Sequence, residues 1–226
     1  MRIVSLFAVA FLLGMGPATS SPRVNLKGTN KVTKHKHLDL SDKFVIVLEG
    51  MVRLDRMQKL ADKLEEVPAD GRVHLVINSY GGSVDAGLVF INKVEAYKAQ
   101  GKMKFLHCYI QDNAMSMAAI ISSYCDGVLI HKFGSFMHHE ASYGMQGSQS
   151  QMRGRVKWVE SFLLQIWTDV AENYGLSVKQ LDSFIDKERF MSATEAVQYG
   201  FADGLYDTLY HEGYVPEEKK FNFFGM

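Results

Sequence analysis

Ser116 is the side chain of this sequence best placed to attack a carbonyl. It follows an apolar run at 105–110 and opens the stretch Met117-Ala-Ala-Ile-Ile-Ser-Ser that leads to Cys125. That pattern predicts a strand turning sharply into a buried helix. A hydroxyl at a helix start lies beside free backbone N–H groups and the positive end of the helix dipole, which stabilise developing negative charge. Serine at that position is also an ordinary cap, so the residue alone leaves both readings open. A nucleophile needs a base, and His138 and His139 lie close enough in sequence to supply one. Adjacent strand residues point to opposite faces, so only one of the two can meet Ser116, and a regular strand cannot aim both at one metal. His35 and His37 form another pair, but with no further ligands nearby they define no metal site. No metal or organic cofactor is expected.

The elements that must position these groups alternate. Residues 44–50 read as a short buried strand. A helical pattern follows through Met57, Leu60, Ala61 and Leu64, closed by Pro68 and Gly71. Residues 73–77 form the next strand and run into a turn at Gly81-Gly82, then a helix carrying Ala86, Leu88, Val89, Ile91 and Val94. Strand, helix, strand, glycine turn, helix, strand and helix is the rhythm of a parallel α/β sheet. Ligands of such sheets bind at the carboxyl ends of the strands, where the glycine turn and Ser116 both fall. Short strands are expected at 128–132 and 135–139, and a polar loop at 141–154. A long helix over 155–174 has an apolar face that Trp158 and Phe162 make broader than one core needs, as a partner subunit would require. Ser177 with Gln180 and Ser192 with Glu195 are capping-box spacings that open two further helices.

The chain has 226 residues, enough for one sizeable core, and its 25 basic and 25 acidic residues balance, so nucleic acid is not an expected partner. Residues 1–20 combine one arginine, a short apolar run and small residues, the make-up of a secretory signal peptide cleaved near Ala18 to Ser20. The run is too short for a stable membrane span, and a periplasmic or secreted protein is expected. Residues 21–43, with Lys27, Lys31, Lys34 and Lys36, read as a flexible basic arm. The catalytic domain is placed at 44–210 and a tail at 211–226. Cys108 and Cys125 would come to a similar level if the chain climbs a strand and returns down a helix. Their apolar neighbours favour reading them as two inert buried thiols.

Four stretches together resemble the Clp protease proteolytic subunit, a serine peptidase of the Clp/crotonase superfamily. They are Ile77-Asn-Ser-Tyr-Gly-Gly-Ser-Val84, Ala114-Met-Ser-Met-Ala118, Met137-His-His139 with Gly144 and Gln146-Gly147 beyond it, and the block from Glu188-Arg-Phe-Met-Ser-Ala to Tyr199-Gly-Phe-Ala-Asp203. They fall in the family's order, over about residues 44–207. The resemblance implies a single α/β domain of repeated β-β-α units wound as a spiral, with a long protruding helix. It implies Ser116 as nucleophile, His139 as general base, Glu188 as the acid that orients it, and the backbone N–H groups of Gly82 and Met117 as oxyanion donors. Chemistry fits each role: imidazole takes the hydroxyl proton and returns it to the leaving amine, and a carboxylate fixes the ring's tautomer. The implied activity is that of a serine endopeptidase assembled as a homo-oligomeric ring or stacked rings.

Three positions depart from the family pattern. Glu188 stands where aspartate is usual, so Asp186 is a second candidate acid. Tyr80 replaces a proline before the paired glycines, and Met115 replaces a small residue and is expected to narrow the pocket. An exported chain would also work without ATP or a cytoplasmic ATPase partner, on short or unfolded polypeptides. The alternatives are a crotonase-type acyl-CoA enzyme, a non-catalytic assembly protein with a drifted triad, and a Ser-Lys dyad using Lys132.

Overall fold

The computed structural model describes residues 24–186 and 188–212. The expected signal peptide and nearly all of the expected tail lie outside them. The elements in chain order are β1 (Lys34–His35), β2 (Leu38–Asp39), β3 (Val45–Glu49), α1 (Leu54–Lys63), β4 (Arg72–Ser79), α2 (Val84–Ala99), β5 (Phe105–Met115) and α3 (Met117–Ser123). There follow β6 (Gly127–His131), β7 (Ser135–His138), α4 (Gln149–Tyr174), α5 (Val178–Ile185), β8 (Arg189–Ser192), α6 (Ala193–Tyr199), β9 (Gly204–Tyr206) and β10 (Leu209–Tyr210).

The fold is mixed α/β around a curled sheet. The main sheet runs β1-β9-β6-β5-β4-β3 with every pairing parallel. Its central strands are near-continuous apolar runs because both faces are covered. Leu48, Leu75, Ile77, Leu106, Ile110 and Ile130 are buried against the helices. Val76, Tyr109 and Tyr206 are buried on the other face under Leu40 and the small β2–β10 ribbon.

Strand β5 makes the sheet curl. Its first half lies between β4 and β6, and at Asn113–Met115 it changes partner to β7. Strand β7 in turn pairs antiparallel with β8, which forms a lip beside the end of β5. A strand predicted to stop at 110 therefore continues to Met115, since beyond an irregularity at Gln111 and Asp112 the chain rejoins a ladder, Asn113 to Met115 pairing with β7.

Three other expectations need correction. Residues 24–43 are not a loose arm where they are described. Val24 is buried with its N–H donating to Tyr174 O, β1 pairs with β9, and β2 pairs with β10. Lysine-rich composition hid this, because two-residue strands leave their side chains in water while the backbone is held. The long helix begins at Gln149, not 155, because Ser148 and Gln151 form a capping box inside the expected loop. Cys108 and Cys125 are joined as a disulfide, with Cα atoms 5.9 Å apart, so they are not free thiols. Helix α4 protrudes as expected: its buried residues begin only at Ile166, and Trp158 near its middle is exposed and stacked on Phe162. Among the described residues no helix is long and apolar enough to cross a membrane.

Candidate active site

Strand β5 ends in an elbow. Ser116 has φ 54° and ψ −125°, a conformation that costs a non-glycine residue about 1–3 kcal/mol and persists only where its surroundings enforce it. The Ser116 N–H donates to Met137 O at 2.9 Å. Its hydroxyl makes no capping bond to α3 and is turned instead toward His139, with Oγ 2.7 Å from Nε2. The turn after β4 packs directly against this elbow. A Cβ on Gly81 would lie 2.6 Å from Ser116 Cβ, and one on Gly82 would meet Val52 O, while both have positive φ; only glycine lets the backbone come this close.

That approach brings two amides, those of Gly82 and Met117, to the cleft that Ser116 lines. Met117 is the first residue of α3, so its N–H has no intrahelical acceptor. Val52 bridges to Gly82 through Val52 N–H to Gly81 O and Ser83 N–H to Val52 O, which leaves the Gly82 N–H outside the bridge. Met117 N would lie 2.9 Å from a Cβ on Gly81, so the glycine turn and the helix start face one another.

The two histidines separate as strand geometry requires. His138, the last residue of β7, is fully buried, with Nε2 3.2 Å from the Tyr174 hydroxyl and its ring among Phe136, Trp167 and Phe201. Burial, reinforced by repulsion from His139, lowers its pKa to about 3, so it stays neutral. His139 turns the other way, to Ser116. The β7–β8 register pairs Arg189 with His138, and so brings Glu188 alongside His139. Glu188 sits in a turn at φ 43°, its N–H donating to Ile185 O at 3.2 Å, and its Oε1 is 3.4 Å from His139 Nδ1. Its side chain is 67% exposed against 24% for His139. Asp186 caps the end of α5, and among the described residues it makes no ion pair with the ring.

A cleft of about 330 Å³ opens beside Ser116 and His139. Gly82, Ser83 and Tyr80 form its rim, and Ile120, Leu163, Ile166 and Trp167 give it an apolar wall. Sequence reasoning missed this wall. Leu163, Ile166 and Trp167 share one apolar face of α4, which spacing alone reads as packing. Met115 is buried and does not line the cleft, contrary to expectation. Lys132 is occupied elsewhere, in an ion pair 3.1 Å from Asp207, so the structure does not join it to Ser116. His37 contacts Thr208, and among the described residues no cluster of three or more His, Cys, Asp or Glu could hold a metal.

A serine at a strained strand-to-helix elbow, in contact with a histidine and beside glycine-built backbone donors, is an arrangement able to carry out acyl transfer. It lies at the strand ends of a curled, mainly parallel sheet in a mixed α/β domain. The chain belongs to the Clp protease family, whose model matches residues 28–208. It is 28% identical over 141 residues to an ATP-dependent Clp protease proteolytic subunit of Streptococcus suis, covering 60% of this chain and 68% of that one. It is 26% identical over 170 residues to the subunit of the same name from Streptococcus agalactiae, covering 71% and 83%. Membership supports a peptidase function.

Proposed function

We propose that the protein is a serine endopeptidase acting on short or unfolded polypeptides through Ser116, His139 and Glu188. The observation that carries this reading is the 2.7 Å contact between Ser116 Oγ and His139 Nε2 at an elbow whose hydroxyl caps nothing. His139 takes the hydroxyl proton as Oγ adds to the peptide carbonyl. The Gly82 and Met117 N–H groups receive the oxyanion, each such donor being worth about 3 kcal/mol. His139 then passes the proton to the leaving amine, and water repeats the sequence on the acyl-enzyme. Glu188 stabilises the imidazolium from the Nδ1 side. The apolar wall of Ile120, Leu163, Ile166 and Trp167 suits an apolar substrate side chain.

Among the described residues none of those lining the cleft is a carboxylate, which weighs against acid/base chemistry of the acyl-CoA enzyme type in it. Exposed Trp158, stacked on the half-buried Phe162, supports assembly as a homo-oligomer through α4. Signal-like residues 1–20 and a disulfide, a bond that persists mainly in oxidising compartments, together support an exported protein working without an ATPase.

A fluorophosphonate probe with peptide mass mapping tests the central claim. Labelling at Ser116 that disappears in Ser116→Ala is expected; labelling elsewhere, or none on folded protein, overturns it. Mass measurement of the mature chain from the secreted or periplasmic fraction tests export, with a new N-terminus near Ser20 expected.

A further inference from the structure

We infer that the Cys108–Cys125 disulfide is a positioning element for Ser116, holding α3 at the level along β5 that keeps the hydroxyl against His139. This rests on the reading of Ser116 as the nucleophile.

The bond closes the base of the elbow. Cys108 lies in the first half of β5, Cys125 lies just past the end of α3, and Ser116 sits midway between them at the tip. Both cysteines are buried. Helix α3 has seven residues and every one is buried, so apolar contact surrounds it. Such contact is non-directional: it keeps the helix in its layer but resists sliding along its axis only weakly. The usual axial anchor, a side-chain cap on the first turn, is absent, because the Ser116 hydroxyl is turned to His139. A short slide or rotation of α3 would let Ser116 leave its positive φ and would carry Oγ away from Nε2.

Apart from the Ser116 N–H bond to Met137 O at the tip, what opposes that relaxation is gathered at the base. Leu106 N–H donates to Asp126 Oδ2 at 2.7 Å and Asp126 N–H donates to Leu106 O at 2.8 Å. Lys98 Nζ donates to both Tyr124 O and Asp126 Oδ1 at 2.9 Å. These bonds begin just beyond the helix and face solvent at Asp126. The disulfide is the covalent member of the set and ties strand to helix directly.

The test reads Ser116 chemistry separately from folding. Dithiothreitol would reduce the bond to two thiols and itself close to a cyclic disulfide, so that two electrons and two protons pass to this chain. The expected result is a fall of about ten- to a hundredfold in the rate of fluorophosphonate labelling at Ser116 and in kcat, the scale for a displacement of about 1 Å. KM should change far less than kcat, because of the apolar wall only Ile120 lies on α3 while Leu163, Ile166 and Trp167 lie on α4, and oxidised glutathione should restore the rate. A Cys108→Ala/Cys125→Ala variant should show the same loss without reductant and be indifferent to dithiothreitol, which decides the matter if the buried bond resists reduction. Near-ultraviolet circular dichroism is recorded on each sample. Equal labelling in both redox states of folded protein overturns the inference, as does a loss that appears only with unfolding, since the bond would then serve stability alone. Oxidised wild type that does not label at Ser116 refutes the peptidase reading instead.

Discussion

Replacing Glu188 by glutamine should be far milder than removing the acid of a buried Ser-His-acid triad. Its carboxylate is 3.4 Å from His139 Nδ1 but 67% exposed, so water screens the pair. At that separation Coulomb attraction to an imidazolium is about 1 kcal/mol in water and about 5 kcal/mol at an effective dielectric of 20. The exposure places this pair near the lower limit, at about 1–2 kcal/mol, or about a fivefold to thirtyfold loss of kcat. A buried acid lost from such a triad costs about 10⁴. Hydrolysis of a fluorogenic peptide with an apolar residue before the scissile bond reads this directly, with Ser116→Ala as the zero. KM should change little, since Glu188 does not line the cleft beside Ser116, and the deficit should shrink in high salt as screening removes what remains of the attraction. A loss near 10⁴ would refute the reasoning from exposure, and no loss would refute the role of Glu188.

Gly82→Ala should lower kcat by more than a hundredfold and lower Tm as well, because the new Cβ meets Val52 O and the residue needs a positive φ; peptide hydrolysis and a thermal melt check both. Stability should decline as pH falls below about 6.5. His138, with its pKa lowered by burial to about 3, and His74, lowered to about 4 chiefly by burial, both stay neutral in the fold while the unfolded chain takes up protons. Their contribution is complete above the unfolded value and fades at up to about 1.4 kcal/mol per pH unit for each group; urea midpoints at pH 7 and pH 5 measure it, and His138→Met should flatten the slope. Trp158→Lys should leave the monomer folded, as its ring is mostly exposed, but shift the sedimentation profile toward smaller species.

Sequence reasoning reached the sheet because parallel strands buried on both faces announce themselves as apolar runs. Local order singled out Ser116 as a helix start and left one of His138 and His139 to face it; the choice of His139 came from the family resemblance, and in the fold His138 turns inward to Tyr174 while His139 contacts Ser116. What it missed depended on contacts distant in the chain. Thr33 and the β1 backbone are held by Asp203 and β9, some 170 residues later, so nothing near the lysines signals order. The start of α4 was missed for the opposite reason. A polar first turn with no buried face reads as loop, although the Ser148–Gln151 spacing was present. The cysteine pair lay between these cases. The strand-and-return path that joins it was foreseen, but apolar surroundings suit a buried thiol and a buried disulfide equally, so composition could not separate them.

On the proposed peptidase reading, the site also explains why one strand carries so much of the fold. A parallel sheet delivers strand ends to one edge, but a nucleophile, a base and two amides must converge within a few ångströms. Strand β5 achieves this by outrunning its neighbours: past Ile110 it leaves β6 and takes β7 as partner. That exchange brings Met137 O onto Ser116 N–H, and the residue after His138 onto the Ser116 hydroxyl. The same register then brings in β8, with Glu188 at its edge, at one remove from the elbow. Ser116 and His139 are thus fixed by adjacent hydrogen-bonded strands, whereas Glu188 hangs on a turn at the sheet's outer lip. The hierarchy of precision in the backbone is therefore the hierarchy expected in the kinetics, with serine and histidine indispensable and the acid a modest, screened contributor.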